Sequence, residues 1–219
     1  MIIGIAGRAQ CGKDTLARAL QAGAAPRETR LAQTFHGAAG HVQLTSQHTR
    51  DAVQILHFAD ALRDVVQAAF GSRYETAAEK DAVDQWWKER LSRPALGRSD
   101  LTYYAEPTGR RILQFVGTEL FRNMVHQDFW LFAMERRIAS SQAKHHIIAD
   151  VRFDNEAEWI RRQGGQVIGL ARADHPPLQA DAHASEKGVR WDLIDHPITC
   201  DSVSAVETFG AVFARHHLT

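Results

Sequence analysis

Five short apolar runs punctuate the chain, and stretches of helical periodicity lie between them. The first run, Ile2-Ile3-Gly4-Ile5-Ala6, leads into further glycines. It predicts a buried strand over 2–6 that enters a loop. Leucine and alanine then recur at helical spacing over 13–22 (KDTLARALQA). Residues 24–52 are polar, with Pro26, Gly37 and Gly40, and read as an excursion or insertion. The run 53–58 (VQILHF) predicts a second strand, followed by a helix over about 60–69. Residues 76–91, with Glu79, Lys80, Trp86, Trp87 and Leu91, predict another helix. Pro94, Gly97 and Pro107 mark 92–107 as a loop.

The second half repeats the pattern. Leu113, Val116, Leu120 and Met124 share one face of a helix over 109–125. Asp128 is placed to cap the next helix, about 129–142. A short strand follows at 145–149, then a helix over 154–163 stopped by Gly164-Gly165. Residues 166–171 predict a strand and 173–196, with Pro176 and Pro177, a mobile segment. A last short strand is expected at 197–200. The closing helix is expected at 203–215, with Val203, Val206, Phe209 and Phe213 in one stripe. Ser204 and Glu207 have capping-box spacing at its start. Strands alternating with helices predict a mostly parallel α/β sheet covered on both faces. The chain carries no internal repeat and no clean linker, so 1–219 reads as a single domain.

Composition narrows the class. With 219 residues, 44% hydrophobic and 24% charged, this is a globular chain rather than a disordered, collagenous or coiled-coil one. No apolar run approaches the ~18 residues of a membrane helix, so no membrane partner is expected. The first residues lack the basic region of a signal peptide. Net charge is zero, from 26 basic and 26 acidic side chains. A binder of nucleic acid usually carries a basic excess, so none is expected as partner. Two cysteines, Cys11 and Cys200, form no disulfide framework and suit a reducing cytoplasm. The twelve histidines show no metal-ligand spacing. Trp86-Trp87 fits a core or an interface equally, which leaves a homodimer open.

Five motifs carry the candidate chemistry. Gly7-Arg8-Ala9-Gln10-Cys11-Gly12-Lys13 fits G-x-x-x-x-G-K between a strand and a helix. Its glycines let backbone N–H groups turn inward around a phosphate, and the helix N-terminus adds positive potential. Lys13 supplies a mobile cation. Asp14 stands where this pattern has a Ser or Thr for Mg²⁺, and Thr15 comes next. Asp14 would hold Mg²⁺ through water, or Thr15 would reach a phosphate. The second motif is Asp150-Val151-Arg152-Phe153-Asp154-Asn155-Glu156, at the end of a strand. Asp150 is a candidate for organising magnesium, and Asp150 or Asp154 equally suits a helix cap. The third is Arg110-Arg111-Ile112-Leu113-Gln114-Phe115-Val116-Gly117-Thr118. A glycine in mid-helix costs about 1 kcal/mol relative to alanine, so Gly117 signals a close approach. Gln114, Thr118 and Arg122 offer donors beside it. The fourth is Phe58-Ala59-Asp60-Ala61-Leu62-Arg63, where Asp60 either caps a helix or, with Arg63, faces a substrate. The fifth is His183-Ala184-Ser185-Glu186.

Taken in order, these motifs resemble the phage-type deoxynucleoside monophosphate kinases, a branch of the P-loop nucleoside monophosphate kinase-like fold. The resemblance rests on 7–15, 58–63, 110–118, Trp130, 150–156 and 183–186, and so covers most of the chain. It implies a three-layer α/β/α P-loop fold with an acceptor-binding helical region over about 59–142 and a lid over about 173–190. It implies transfer of the γ-phosphoryl group of ATP, with Mg²⁺, to the 5′-phosphate of a deoxynucleoside monophosphate. Gly7, Arg8, Ala9, Gln10, Cys11, Gly12, Lys13, Asp14 and Thr15 would bind ATP, and Asp14, Thr15 and Asp150 the metal. Asp60, Arg63, Arg110, Arg111, Gln114, Gly117, Thr118, Trp130, Asp150, Arg152 and Glu186 would serve the acceptor. Lys13, Asp14, Arg110, Arg111 and Asp150 would carry the catalysis. The implied location is cytoplasmic, and the host cytoplasm for a phage-encoded chain.

The residues suit that chemistry on their own terms. A nucleotide phosphate is already a competent nucleophile, so catalysis rests on positioning and charge neutralisation. Two other readings stand beside it. One is another small-molecule P-loop kinase, such as a dephospho-coenzyme A kinase or a phosphomevalonate kinase-like enzyme. The other is a P-loop ATPase or GTPase switch, which predicts an acidic pair after the second motif's strand or an N-K-x-D. Val151 follows Asp150, and N-K-x-D is absent.

Overall fold

The computed structural model describes residues 1–8, 10–24, 52–76, 78–79, 82, 85, 109–172 and 187–218, with Phe70, Arg110 and Arg111 as backbone. Most of the expected excursion over 24–52, most of the expected helix 76–91, the loop 92–107 and residues 173–186 lie outside them. The chain divides into two compact units. The first is Met1–His57 with Arg136–Thr219, and the second is Phe58–Glu135.

The first unit is built on five strands: β1 (Ile2–Ala6), β2 (Val53–Leu56), β3 (His145–Val151), β4 (Gln166–Arg172) and β5 (His196–Cys200). Their order is β2-β3-β1-β4-β5, and every pairing is parallel. Helices α1 (Lys13–Gly23), α5 (Asp154–Arg162) and α6 (Val203–His217) cover the sheet. Strand alternation decides which helix meets which face. Ile3 and Ile5 are fully buried in one cluster with Leu16 and Leu20 of α1 and with Val206 and Phe213 of α6. Gly4, between them, faces the other way: a Cβ there would stand 2.6 Å from Ile160 Cδ1 of α5. This is a three-layer α/β/α arrangement. The chain leaves β1 between β3 on one side and β4 on the other, a switch point of the kind at which open parallel sheets place ligands beyond the strands' C-terminal ends.

Helix ends follow local chemistry, with two departures from expectation. Ser202, not Ser204, starts α6: its Oγ accepts from the Ala205 N–H at 3.3 Å. Ser202 has the extended backbone of an N-cap, whereas Ser204 is already inside the first turn. Val203, at the first helical position, is accordingly 61% exposed rather than part of the buried stripe. Strand β2 ends at Leu56, two residues earlier than predicted, and the next helix begins at Phe58. Gly164 closes α5 as expected, with φ of 73° and its N–H on the Arg161 carbonyl at 2.9 Å.

The second unit holds α2 (Phe58–Phe70), α3 (Gly109–Gln114) and the first part of α4 (Phe129–Ala139). Between α3 and α4 the backbone widens into a π-helical stretch, Phe115–Val125. The predicted helix over 109–125 is thus α-helical for six residues and π-helical thereafter. The last wide turn is closed by the His126 N–H on the Phe121 carbonyl at 2.9 Å. Wider turns rotate the stripe that a 3.6-residue period predicts. Met124, expected on the apolar face, is 75% exposed. Single π turns are rare and concentrate at functional sites.

Candidate functional site

The loop 7–12 joins β1 to α1 and lies at the C-terminal end of the sheet. Gly7 admits no side chain, because a Cβ would run into the Leu170 carbonyl of β4 and stand 2.7 Å from Cys11 Sγ. Gly12 has φ of 99° and directly precedes the helix. Gln10 also adopts a left-handed φ, 63°. These turns bend the loop back over the start of α1, whose first N–H groups have no partner within the helix. Ala9 lies outside the described residues.

Lys13 is the buried cation of this loop, with 9% exposure. Its Nζ donates to the carbonyls of Gly7 at 2.9 Å and Arg8 at 2.7 Å. The ammonium has three donors, and its remaining contact is Cys11 Sγ at 4.0 Å, a weak acceptor. Burial holds its pKa below the ordinary lysine value, against the pull of the Cys11, Asp150 and Asp14 charges. A phosphate oxygen is a far better third acceptor than sulfur. Cys11 itself is buried, and that burial raises its thiol pKa.

Two carboxylates stand at the same edge. Asp14, in the first turn of α1, is largely exposed, and its Oδ1 lies 3.4 Å from His57 Nε2. That hydrogen bond holds its carboxyl below the usual carboxylate pKa. Asp150, at the end of β3, is half-buried and close enough to act on the charge of Lys13, as is Arg152. The cap of α5 is supplied elsewhere. Glu156 is fully buried and accepts from the N–H groups of Arg152 at 2.8 Å and Phe153 at 3.2 Å. Asp154 instead accepts from the Arg190 N–H at 2.8 Å and pairs with its guanidinium. Arg190 also pairs with Glu158 and Asp192.

These groups fit a phosphate and an ion carried on it. No group of three His, Cys, Asp or Glu able to hold a metal occurs among the described residues. Mg²⁺ on substrate phosphates needs only one or two protein carboxylates, because it keeps several waters. Asp14 and Asp150 meet that requirement, and the Thr15 hydroxyl, half-buried, is next along the helix.

The second unit has its own polar and aromatic set. Asp60 lies in the first turn of α2, with Arg63 at 3.8 Å one turn on. Gly117 is buried, and a Cβ there would press on Leu62 Cδ2 at 3.0 Å, which explains the glycine inside a helix. Trp130 is 4% exposed and donates its indole N–H to the Gly117 carbonyl at 2.8 Å. Its ring meets Phe121 and Phe129 edge-on. The structure thus places Trp130 inside the unit, bonded to the backbone of the π-helical stretch. Gln114 and Thr118 are half-buried, and Arg122 donates to the Gln127 carbonyl at 3.1 Å. The side chains of Arg110 and Arg111, and all of Glu186, lie outside the described residues.

Comparison with known proteins bears on the same segments. The model of the deoxynucleotide monophosphate kinase family matches residues 48–208. The chain belongs to this family. The match contains the motifs at 58–63, 110–118, 150–156 and 183–186, while the loop 7–15 precedes it, so loop geometry and family membership are independent observations. The deoxynucleoside-5′-monophosphate kinase of Escherichia phage T5 is 34% identical over 94 residues, 41% of this chain and 38% of that protein. A protein of Acanthamoeba polyphaga mimivirus, assigned provisionally as a deoxynucleotide monophosphate kinase, is 34% identical over 95 residues, 38% of this chain and 48% of that protein. The chain therefore spans less than half the length of these curated relatives.

Two residues of the site have roles that the sequence reading did not assign. His57 reads as the end of a strand, and only the early end of β2 turns it toward Asp14. Glu156 carries a signal that could have found it: a glutamate at the third helical position is the capping half of a capping box. No helix among the described residues is long and apolar enough to cross a membrane.

Proposed function

We propose that the chain is a deoxynucleoside monophosphate kinase. It transfers the γ-phosphoryl group of ATP, with Mg²⁺, to the 5′-phosphate of a deoxynucleoside monophosphate, giving the diphosphate and ADP. One observation carries the reading beyond family membership. A buried lysine amine lies over a loop whose first glycine admits no side chain, at the switch point of a parallel sheet. Lys13 and the N–H groups of the loop and helix start neutralise the ATP phosphates. Asp14, Thr15 and Asp150 orient Mg²⁺ and its waters. Held by these residues, the metal would supply charge neutralisation for phosphoryl transfer. Arg110 and Arg111, with Gln114, Gly117 and Thr118, receive the acceptor, with Asp60, Arg63, Arg152 and Glu186 as its further contacts. Trp130 serves that side from beneath, through the Gly117 carbonyl. The reaction takes place in the cytoplasm, that of the host for a phage-encoded chain.

The test is direct. The protein is incubated with ATP, Mg²⁺ and each deoxy- and ribonucleoside monophosphate, and ADP and diphosphate are separated by chromatography. Diphosphate formed from a deoxynucleotide, and lost in Lys13→Ala, supports the proposal and names the base. ADP without diphosphate replaces it with an ATPase. No turnover replaces it with a kinase for another acceptor, and dephospho-coenzyme A is tried next.

A further inference from the structure

We infer that His57 is a positioning residue, holding the Asp14 carboxylate in the orientation that a cation on the ATP phosphates requires. The inference rests on the proposed use of ATP and Mg²⁺. It begins with the departure at position 14. A hydroxyl after the lysine of a phosphate loop has one torsion and one oxygen. An aspartate has two torsions, two oxygens and a full negative charge, and it stands next to Lys13. Left alone on an exposed first turn, it has several orientations, including ones that turn toward the lysine.

The fold supplies a restraint from another strand. β2 pairs with β3 through Leu56 and Ile148, so the residue after Leu56 emerges at the sheet edge where Asp150 also lies. α1 packs over β2 and β3, which brings its first turn to the same edge. There His57 Nε2, in the tautomer that carries its proton, donates to Asp14 Oδ1 at 3.4 Å. Fixing one oxygen selects the orientation of the other, which is how outer partners orient metal-ligating carboxylates. The pair does little else. Asp14 is 72% exposed and His57 28%. Ion pairs at such exposed sites contribute little to stability, too little to account for the contact as a staple of the fold.

The test measures binding rather than turnover, on the full chain. ATP affinity is determined by calorimetry in EDTA and across a Mg²⁺ titration. In His57→Ala the Mg²⁺ concentration for half-maximal enhancement of ATP binding should rise about tenfold, the lower end of what losing an outer partner costs. Affinity in EDTA and the melting temperature should stay at wild-type values. His57→Gln, which keeps a donor, should recover most of the shift. Asp14→Asn should show the same shift, and adding His57→Ala to it should change nothing more. Wild-type Mg²⁺ dependence in His57→Ala, an equal loss in EDTA, or additive shifts in the double variant would overturn the inference. A wild-type protein that binds ATP with no gain from Mg²⁺ would overturn the metal reading beneath it.

Discussion

The indole N–H of Trp130 donates to the Gly117 carbonyl at 2.8 Å, across thirteen residues and in the interior of the second unit. The bond fixes the π-helical stretch at the point where it carries its glycine. Trp130→Phe keeps the aromatic packing against Phe121 and Phe129 but leaves the carbonyl without its indole donor. Loss of a partner to a buried acceptor costs about 1–3 kcal/mol. Urea denaturation of Trp130→Phe should show a loss in that range. Gly117→Ala should show less, because alanine's helical advantage of about 1 kcal/mol offsets the pressure of its methyl on Leu62. A larger loss for Gly117→Ala than for Trp130→Phe would mean that close packing, not the hydrogen bond, fixes the stretch.

The two glycines of the loop 7–12 should respond differently to alanine. At Gly7 the methyl meets a backbone carbonyl of β4, which has no room to move, and the sulfur of Cys11. At Gly12 its nearest contact is Leu170 Cδ2 at 3.8 Å, so only the left-handed φ of 99° opposes it. That strain is roughly 1–2 kcal/mol. Gly12→Ala should fold with a loss of this size, measured by denaturant melts. Gly7→Ala should lose more and should fail to bind ATP even where it folds. Equal losses at the two positions would contradict the clash with β4.

Much of this was legible in the sequence. Alternating Ile3-Gly4-Ile5 announces a strand buried on both faces, and G-x-x-x-x-G-K announces the loop after it. The five strands among the described residues fall on the apolar runs, and the signal is cleanest in the inner strands β1, β3 and β4, where burial leaves little polar face to blur it. What was not legible depends on distance or on turn type. Ser202 and Ser204 are equally good caps by composition, and only the backbone at 202 decides between them. The π turn after Gln114 has no residue signature, so Met124 was counted into a face that the wider turns rotate away. His57 meets Asp14 across forty-three positions of chain, which no local pattern carries.

Acid should destabilise the first unit through the start of β3. His146 is 6% exposed, and its Nε2 has no hydrogen-bond partner. Burial lowers its pKa, as it does for His145, and neighbouring positive charge adds to the effect. The sign follows from linkage. The unfolded chain takes up the proton at the ordinary histidine pKa of about 6.5, and the folded chain only at lower pH. Stability is therefore full above about 6.5 and falls as pH drops toward the folded values. The melting temperature should decline between pH 7.5 and 5.5, and His146→Leu should shrink that decline. An unchanged decline in the variant would assign the acid sensitivity to other groups.

Glu156 should matter more to folding than the acidic residues around it. Its carboxylate is 1% exposed and accepts two backbone N–H groups at the start of α5. Glu156→Ala removes a cap and leaves two donors unmet, a loss of about 2–4 kcal/mol when the cap and one buried donor are counted together. Asp154→Ala removes a half-exposed pair with Arg190 and should cost under about 1 kcal/mol. Chemical denaturation of the two variants gives the comparison. A cost at Asp154 equal to that at Glu156 would make the Arg190 ion-pair cluster, and not the buried glutamate, the main anchor of α5.

Lys13 separates function from stability most cleanly. The ammonium is buried, and its lowered pKa records that the fold disfavours its charge. What it receives in exchange is two carbonyls of its own loop. Replacing a buried charge with an apolar side chain of similar length is often neutral or stabilising. Lys13→Met should therefore stay within about 1 kcal/mol of wild type in urea, the lost hydrogen bonds offset by the relieved desolvation. ATP binding should fall by at least roughly tenfold, since a charge-assisted hydrogen bond is worth about 1.5–3 kcal/mol. The two measurements answer different questions. A variant that unfolds would show the lysine holding the loop together through Gly7 and Arg8. A stable variant that binds ATP normally would remove Lys13 from the phosphate site, and with it the observation on which the kinase reading depends.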